Sequence, residues 1–514
     1  MTTKAEAAWS RMHQDREPFL DQAIDNASLT IPSLIPESAR SMGPGRETAL
    51  ASLYQGLGAR GLGQLASKVL TSLLPPQEPF FRLVLDEGAV QRYIESQGGS
   101  IPEEAKERML ATLAKQEKAI ISRMNKMRVR SKLSMGLRHL LCGGNALLYA
   151  GGDQLRVYIF AKYCQELDPE GRPLEVVIKE EVSPQVLKAM KPRAKVDTDS
   201  KEKVCVYTHV KWDYRRDKVE WVQQDKDGNI PDTAGTTPVD GCPWIPLSIN
   251  RIDGENYGRA PVEEFLGDLA SLNELTRAQV EAALQMSKVV WANNPNGMTR
   301  AQDFAVAENG DVIAGSDGDI TAITAGDKVR ELQGGVQVMS MLERRLSYSF
   351  LLTESVQRDA ERVTAEEIRL MAESLDSGLA GLYSDLSDQL QLPLVKAIVY
   401  KMTQAQELQP LPEDLIEPQI TTGLDAIGAR NERNRLLGWI QTLQGAIGPE
   451  GVLQRLKVEP FAQRLASYDH VDVNGLVMTQ EEITNAAQQE QQGRLAETAV
   501  AGALNGRGTP PPTA

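Results

Sequence analysis

Residues 242–275 read CPWIPLSINRIDGENYGRAPVEEFLGDLASLNEL, and the chain changes character within them. CPWIPLSIN is aromatic, β-branched and proline-bearing, the texture of a strand. RIDGENYGR is polar and glycine-bearing, a connector. Pro261 then opens a helical period. Val262, Phe265, Leu266, Leu269, Leu272 and Leu275 fall at three- and four-residue steps, an apolar stripe on one helix face. Glu263 and Glu264 follow the proline in the first turn, where the helix dipole favours negative charge, so this acidic pair has a structural reading.

Upstream, residues 146–250 carry short β-rich runs: LLYA, LRVYIF, LEVVIKEEV, KVCVYTHVKW and KVEWVQQ. DKDGN (225–229) reads as a hairpin turn, and the region as an antiparallel α+β unit. DKDGN also has the look of a calcium loop, but its glycine comes too early and no glutamate closes the loop, which discards calcium. Residues 102–141 form one long helical pattern. Its second half is basic, with Arg123, Lys126, Arg128, Arg130, Lys132 and Arg138 and no acid among them. This stripe reads as solvated or subunit-facing, with phosphate contact as the alternative. Residues 47–74 predict a helix ended by Pro75-Pro76. Residues 1–30 predict another, with Trp9, Met12 and Phe19 on one side, broken by the prolines of TIPSLIPES (30–38).

Downstream, residues 291–326 are rich in Gly, Asn and Asp and predict a small module with short strands such as DVIAG and ITAIT. A second helix follows, with Leu332, Val336, Met339, Leu342, Leu346 and Phe350 on its stripe and Gly334-Gly335 inside it, which predicts a bend or a close contact. TESVQRDAER (353–362) is a polar connector. Thr364 and Glu367 form a capping box that starts a third helix, whose face carries Ile368, Met371, Leu375, Leu379, Leu382, Leu386 and Leu390. Helical pattern returns at 427–467 and 479–503, and the tail 505–514 predicts disorder.

The chain has 514 residues, with 56 Lys and Arg against 70 Asp and Glu, a formal net charge of −14. That length suggests roughly three or four structural units. An acidic balance argues against a free-standing protein that grips nucleic acid with a broad basic surface. Four scattered cysteines, Cys142, Cys164, Cys205 and Cys242, make no CxxC pair and point to a reducing compartment. Cys205 and His209 share one face of a strand pattern, but a zinc site needs about four ligands and no second pair lies nearby. The pair reads as packing. No span long enough to cross a membrane is visible, and the N-terminal stretch has no signal-peptide core.

No GxxxxGK[ST], HExxH or GxSxG occurs. One G-x-G-x-x-G does, at Gly56, Gly58 and Gly61. A dinucleotide site needs a strand before it, and TALASLY before it looks helical. These glycines, with Gly63, read as a bend or close backbone packing. The expectation is no catalytic residue, no metal, no cofactor and no enzyme activity.

The sequence resembles the portal proteins, or head-to-tail connectors, of short-tailed, podovirus-type bacteriophages. TIPSLIP (30–36), GARGLGQLASKVL (58–70), GGNALLY (143–149), VYTHV (206–210) and CPWIPLSINRIDGENYGR (242–259) carry the resemblance. EEFLGDLASLNEL (263–275), RRLSYSFLLTESVQRDAERVTAEEIR (344–369), LQLPLV (390–395) and TGLDAIG (422–428) continue it in order. Residues 77–135, 165–200, 292–330 and those beyond 430 diverge. The resemblance implies a mainly α subunit with an α+β wing region, of a kind that assembles into a ring of usually twelve copies around a duplex-DNA channel. It implies an N-terminal wing at 1–255, stem helices at 256–290 and 328–352, and a clip at 291–327. A channel loop at 353–363, wing with a long helix at 364–425, crown at 426–490 and flexible tail at 491–514 complete it.

The implied role is non-catalytic: a conduit for double-stranded DNA at one capsid vertex, in the virion between head and tail, made in the host bacterial cytoplasm. Implied partners are other copies of itself, the packaging ATPase (terminase), a tail adaptor, and the major capsid and scaffolding proteins, with no membrane. Gln357, Arg358 and Arg362 are expected near the DNA, although Arg358 and Arg362 also have Asp359, Glu361 and Glu366 as possible partners. Arg344 and Arg345 face either the channel or a neighbouring subunit. Trp291, Asn293, Asn294 and Phe304 anchor either the ATPase or adaptor, or the core of the small module. Rival readings are an internal scaffolding or capsid-assembly protein, and a metal-dependent nuclease or hydrolase on the 146–250 sheet.

Overall fold

The computed structural model describes residues 3–39, 50–75, 79–85, 103–286, 290–316, 318–323, 329–350, 352, 380–408, 416–420, 436–445, 448 and 461. They fall in two compact units, Met1–Thr421 and Thr422–Ala514. In the second unit residues 436–445 are helical. All that follows concerns the first, a mixture of helices and antiparallel sheets.

Helix α1 (Lys4–Leu29) is capped by Thr3, whose hydroxyl accepts from the Glu6 N–H, and it stops at Thr30 before Pro32. Trp9 and Met12 are buried, as their spacing predicts. Helix α2 (Leu57–Leu73) starts ten residues later than the sequence pattern suggests, and residues 50–54 are not helical. Gln55 sets the start: its Oε1 accepts from the Gly58 N–H at 2.9 Å while its Nε2 donates to the Leu29 carbonyl at 2.8 Å. Strand β1 (Phe81–Leu85) follows.

The single helix expected at 102–141 is two, α3 (Glu103–Lys126) and α4 (Val129–Gly143). Arg128 takes a left-handed φ of 54° between them. The Met127 carbonyl accepts from Leu155 N–H at 3.1 Å, so it is spent on a partner outside the helix. Of the basic run, Arg130 donates to the Leu74 carbonyl at 2.7 Å and Arg123 lies 3.8 Å from Glu407.

The 146–250 region is β-rich as expected. Strands β2 (Asn145–Tyr149), β3 (Arg156–Tyr158), β4 (Tyr163–Leu167) and β5 (Pro173–Val182) precede the short helix α5 (Pro184–Met190). Strands β6 (Val204–Asp213), β7 (Lys218–Asp225), β8 (Gly228–Asn229), β9 (Gly235–Thr237) and β10 (Trp244–Ser248) complete it. One antiparallel sheet runs β4-β5-β6-β7-β8 with β9 beside β7, and a second runs β10-β2-β3. DKDGN turns between β7 and β8 as predicted. Helix α1 lies on the large sheet, where Ala5, Ala8, Trp9 and Met12 bury against Cys164, Val177 and Tyr207. At ~25 cal/mol per Å2 of apolar surface, that contact is a principal tie between the N-terminus and the sheet.

Helix α6 (Leu266–Met286) follows a 3-10 turn at Pro261–Phe265, whose Glu263 carboxylate accepts from the Ala260 N–H. A small module then holds β11 (Val290–Asn293), helix α7 (Ala301–Val306) and β12 (Ile320–Ile323), with β11 and β12 paired antiparallel. ITAIT forms its strand over Ile320–Ile323. DVIAG does not: residues 311–315 are irregular, because Asp319 recruits the adjoining Ser316 N–H into a turn. Helix α8 (Val329–Ser349) runs through Gly334-Gly335 without interruption; Gly334 faces open space, and only Gly335 has a neighbour. A Cβ at Gly335 would stand 3.4 Å from Gln279 Nε2 of α6.

Of the third long helix, Thr364 to Leu379 lie outside the described residues. The described part is α9 (Ala380–Leu386), a π-helical turn at Ser387–Gln391, and α10 (Leu392–Gln404). Pro393 lacks the N–H that would reach the Gln389 carbonyl, which favours the widened turn. Leu386 and Leu390 are fully buried, as their spacing predicts. Strand β13 (Ile416–Ile420) pairs with β1. Among the described residues no helix is long and apolar enough to cross a membrane.

Candidate functional site

The helix pair α6/α8 starts from a fixed point. Asn145 is fully buried at the head of β2. Its Oδ1 accepts from Gly258 N–H at 2.9 Å and from Ser248 Oγ at 3.0 Å. Its Nδ2 donates to the carbonyls of Gly258, at 2.8 Å, and Gly143, at 3.1 Å. Gly144 takes φ +71°, and a Cβ there would stand 2.5 Å from the Gly258 carbonyl oxygen, so only glycine fits. GGNALLY and CPWIPLSINRIDGENYGR therefore meet at one amide side chain, which aims the chain into α6.

Helices α6 and α8 are antiparallel: Asp268 meets Arg345, and further along Gln279 meets Gly335. The Arg345 guanidinium is held bidentately on Asp268, with Nε donating to Oδ2 at 2.8 Å. At ~1.5 Å per residue, the stretch from Asp268 to Met286 carries the small module about 27 Å from this clamp. Near the clamp the stripe is buried, with Leu269, Leu272, Leu342, Leu346 and Phe350 all enclosed. Away from it, large apolar side chains stand in solvent: Val280, Leu284, Val336, Val338 and Met341 are 43%, 60%, 49%, 44% and 58% exposed. An isolated subunit thus leaves part of its helix pair uncovered.

In the glycine run at 56–63, Gly58 and Gly61 are closely packed, Gly56 and Gly63 face open space, and no strand immediately precedes the run. Gly58 lies against the Leu29 carbonyl and the Leu269 side chain, and Gly61 against the Phe350 ring. These contacts fix α2 onto the base of the helix pair. Nothing in the glycine pattern alone indicated that Phe350 was the partner.

In the small module, Asp319 is the organiser, and it was missed in the sequence. Its Oδ2 accepts from the N–H groups of Met298 at 2.9 Å, Thr299 at 3.0 Å and Ser316 at 3.0 Å, and from Thr299 Oγ1 at 3.0 Å. The Ser316 and Thr299 N–H bonds hold this carboxyl below the usual carboxylate range. A lone Asp inside SDGDI offered no signal, since its donors lie up to 21 residues away.

The expected site residues are placed as follows. Gln357, Arg358 and Arg362 lie outside the described residues. Arg344 is exposed on α8, while Arg345 is committed to Asp268. Asn293 sits on β11 opposite Ile320. Asn294 stabilises the following turn, where its N–H donates to the Asp319 carbonyl and its Oδ1 accepts from Asn296 N–H. Phe304 is half-buried on α7, and Trp291 occupies β11 opposite Ala322.

Elsewhere, His209 bonds through Nε2 to Glu175 Oε1, in the larger sheet and far in sequence from the helix pair. That bond, with the Arg11 bond at 2.6 Å, outweighs burial and holds the Glu175 carboxyl down at about 2. Arg11 also reaches Glu166 at 2.7 Å, so the cluster straps α1 to β4 and β5. Among the described residues, no group of three His, Cys, Asp or Glu side chains is arranged to hold a metal ion.

The family described as bacteriophage head to tail connecting protein matches residues 2–475. The chain is 31% identical over 490 residues to the portal protein of Escherichia phage T7, covering 93% of this chain and 89% of that one. It is 29% identical over 521 residues to the portal protein of Pseudomonas phage phiKMV, covering 98% of each. Among solved structures it is similar to a chain in the neck of a native gene transfer agent particle computed with C12 symmetry. That match has 12% identity and a TM-score of 0.36, and covers 76% of this chain and 85% of the other.

Proposed function

Because the chain belongs to the bacteriophage head-to-tail connecting proteins, the portal proteins of podoviruses, we propose that it forms a closed ring of twelve copies at one capsid vertex. Double-stranded DNA passes through the ring's channel inward during packaging and outward during ejection. The terminase docks on it first and the tail adaptor later. The role is structural: the driving energy comes from the terminase. It sits in the virion between head and tail after synthesis in the host cytoplasm, with major capsid and scaffolding proteins as assembly partners.

The supporting observation is the antiparallel α6/α8 pair, clamped at one end by Asp268–Arg345, carrying a small module at the other, and leaving apolar side chains uncovered away from the clamp. A neighbouring copy supplies the missing cover. A heterologous contact of this kind closes into a ring when the rotation per subunit permits. In this reading residues 1–255 and 364–425 are the wing, 256–290 and 328–352 the stem, and 291–327 the clip. Residues 353–363 are the channel loop, 426–490 the crown, and 491–514 the flexible tail.

Phosphate contacts in the channel are few and weak, because each neutralised phosphate adds salt-dependent affinity and a tightly held duplex would stall. Gln357, Arg358 and Arg362 supply them, with Arg344 at the channel side of the stem. The clip residues Trp291, Asn293, Asn294 and Phe304 form the docking end. The test is genome packaging with rings carrying Arg358→Ala and Arg362→Ala. Rings assemble but packaging or DNA retention drops; normal packaging and retention would remove these arginines from the channel. Deleting 292–325 abolishes adaptor binding, and a ring that still binds adaptor would refute the clip assignment.

A further inference from the structure

Two features at opposite ends of strand β6 are unexplained by the helix pair. The first is a projecting basic segment. Residues 184–195, PQVLKAMKPRAK, hold Lys188, Lys191, Arg193 and Lys195 and no acid. Leu187 and Ala194 anchor the segment with Val206 and Ile230, beside the Val204 end of β6. That leaves Val186 50% and Met190 65% exposed. Arg193 pairs with Asp232, while Lys188 caps the Ala194 carbonyl. Lys191 and Lys195 point to no acid among the described residues.

The second feature is a cleft of about 590 Å3 at the Trp212 end of β6, between the sheet and the α9–α10 turn. Trp212, Trp244, Leu392 and Pro393 form its apolar walls. Its basic side chains are occupied. Arg172 is on Asp168 and Glu170, Lys396 is on Asp240, and Arg251 donates to the carbonyls of Pro169 and Glu255. Asp385 and Asp388 also line it and have no basic partner among the described residues. Burial and the neighbouring Asp388 raise the Asp385 carboxyl above its ordinary range.

We infer that residues 184–195 of one copy seat in the Trp212/Asp388 cleft of the next copy, with Met190 on the apolar walls and Lys191 or Lys195 on Asp385 and Asp388. The knob packs on Val204 and Val206 of strand β6 and the cleft is lined by Trp212, so at ~3.3 Å per residue they stand roughly 20–26 Å apart on one subunit. They cannot satisfy each other within a chain. Different, complementary patches at opposite ends of one rigid sheet are what a heterologous, ring-closing contact requires. The contact rests on the ring reading and adds a wing-level interface to the helix pair. Charge pairing fixes its register, and the apolar anchor holds it.

The experiment images the purified full-length chain by negative-stain microscopy and weighs it by mass photometry. Asp385→Lys with Asp388→Lys puts like charges together and lowers the ring fraction about tenfold or more. Lys191→Glu with Lys195→Glu does the same. All four changes in one chain restore opposite charges at every interface and bring rings back. Rings at the unaltered level in either two-site variant, or no recovery in the four-site variant, overturn the contact. Circular dichroism checks that each variant is folded. As a second measurement, Lys191→Cys with Asp388→Cys gives a reductant-sensitive ladder of covalent multimers under oxidation, and monomer alone counts against the contact. Rings from the unaltered chain and from every variant would reject this interface and leave the ring standing. No rings from the unaltered chain, even with scaffolding and capsid proteins added, would reject the ring itself.

Discussion

The ring of Phe350, the residue that follows α8, lies directly on Gly61 of α2, so that a Cβ on Gly61 would stand 2.5 Å from Phe350 Cγ. Phe350 is only 1% exposed, and Phe265 meets it edge-on at 5.9 Å between centroids. The aromatic ring therefore locks three helices together where the polar connector begins. Gly61→Ala overpacks this point and costs about 1–3 kcal/mol. Adding Phe350→Leu to the same chain recovers part of that loss, whereas Phe350→Ala alone leaves a cavity worth about 3–5 kcal/mol. Urea midpoints for the single and double variants read the coupling; additive effects would mean the two residues do not touch.

Arg345 is bound to Asp268, but its side chain is 61% exposed. An exposed pair contributes roughly 0–1 kcal/mol. Arg345→Ala and Asp268→Asn should each shift subunit stability by less than about 1 kcal/mol and change ring assembly or packaging in the same way as each other. A packaging loss seen with Arg345→Ala and absent with Asp268→Asn would mean that Arg345 contacts DNA and is not simply a helix clamp.

Stability falls in acid through two windows that overlap only near pH 4. His139 is 2% exposed, and neither ring nitrogen has a hydrogen-bond partner among the described residues. Burial pushes its pKa down from 6.5 to about 4. Above pH 6.5 the ring is neutral folded or unfolded, and no penalty arises. Below that the unfolded chain takes up the proton first, so stability drops as pH falls from 6.5 to 4, by about 3 kcal/mol in full. Glu175 is held down at about 2, chiefly by the His209 bond, so its contribution persists above pH 4.5 and is lost between 4.5 and 2. Urea titrations across pH 7 to 4 should lose most of their slope in His139→Leu. An unchanged slope would show that another group titrates there.

The small module depends on Asp319. Replacing it with Ala removes the shared acceptor of Met298, Thr299 and Ser316 N–H. Hydrogen exchange at residues 298–316 should then quicken, while exchange in β5 and β6 stays unchanged. Asp319→Asn should fall between, because a neutral amide oxygen accepts more weakly than a carboxylate. Protection in the Ala variant equal to that of the parent would remove Asp319 from this role.

Much of the fold was legible where a local period decides it. Trp9 and Met12, Leu269 and Leu272, and Leu386 and Leu390 fall where their spacing places them, since one apolar face must be buried. Boundaries failed where a distant partner decides. Gln55 starts α2 through the Leu29 carbonyl, and Leu155 breaks the 102–141 helix by drawing off the Met127 carbonyl. Neither partner is near in sequence, so no window could show them. The same holds for the candidate site. The apolar stripe of α6 and α8 and the packing at Gly58 and Gly61 could be read. The Asp268–Arg345 clamp joins residues 77 apart, and Asp319 gathers donors through a loop. Family resemblance supplied the ring, the channel and the partners, which no spacing in this chain encodes.

The most direct measurement is negative-stain or cryo-electron microscopy of the purified full-length chain, alone and mixed with scaffolding and capsid proteins. The account predicts rings of about twelve subunits, closed by one repeated heterologous contact, with a central channel wide enough for duplex DNA. Open filaments, or a chain that stays monomeric even with its capsid partners present, would contradict it.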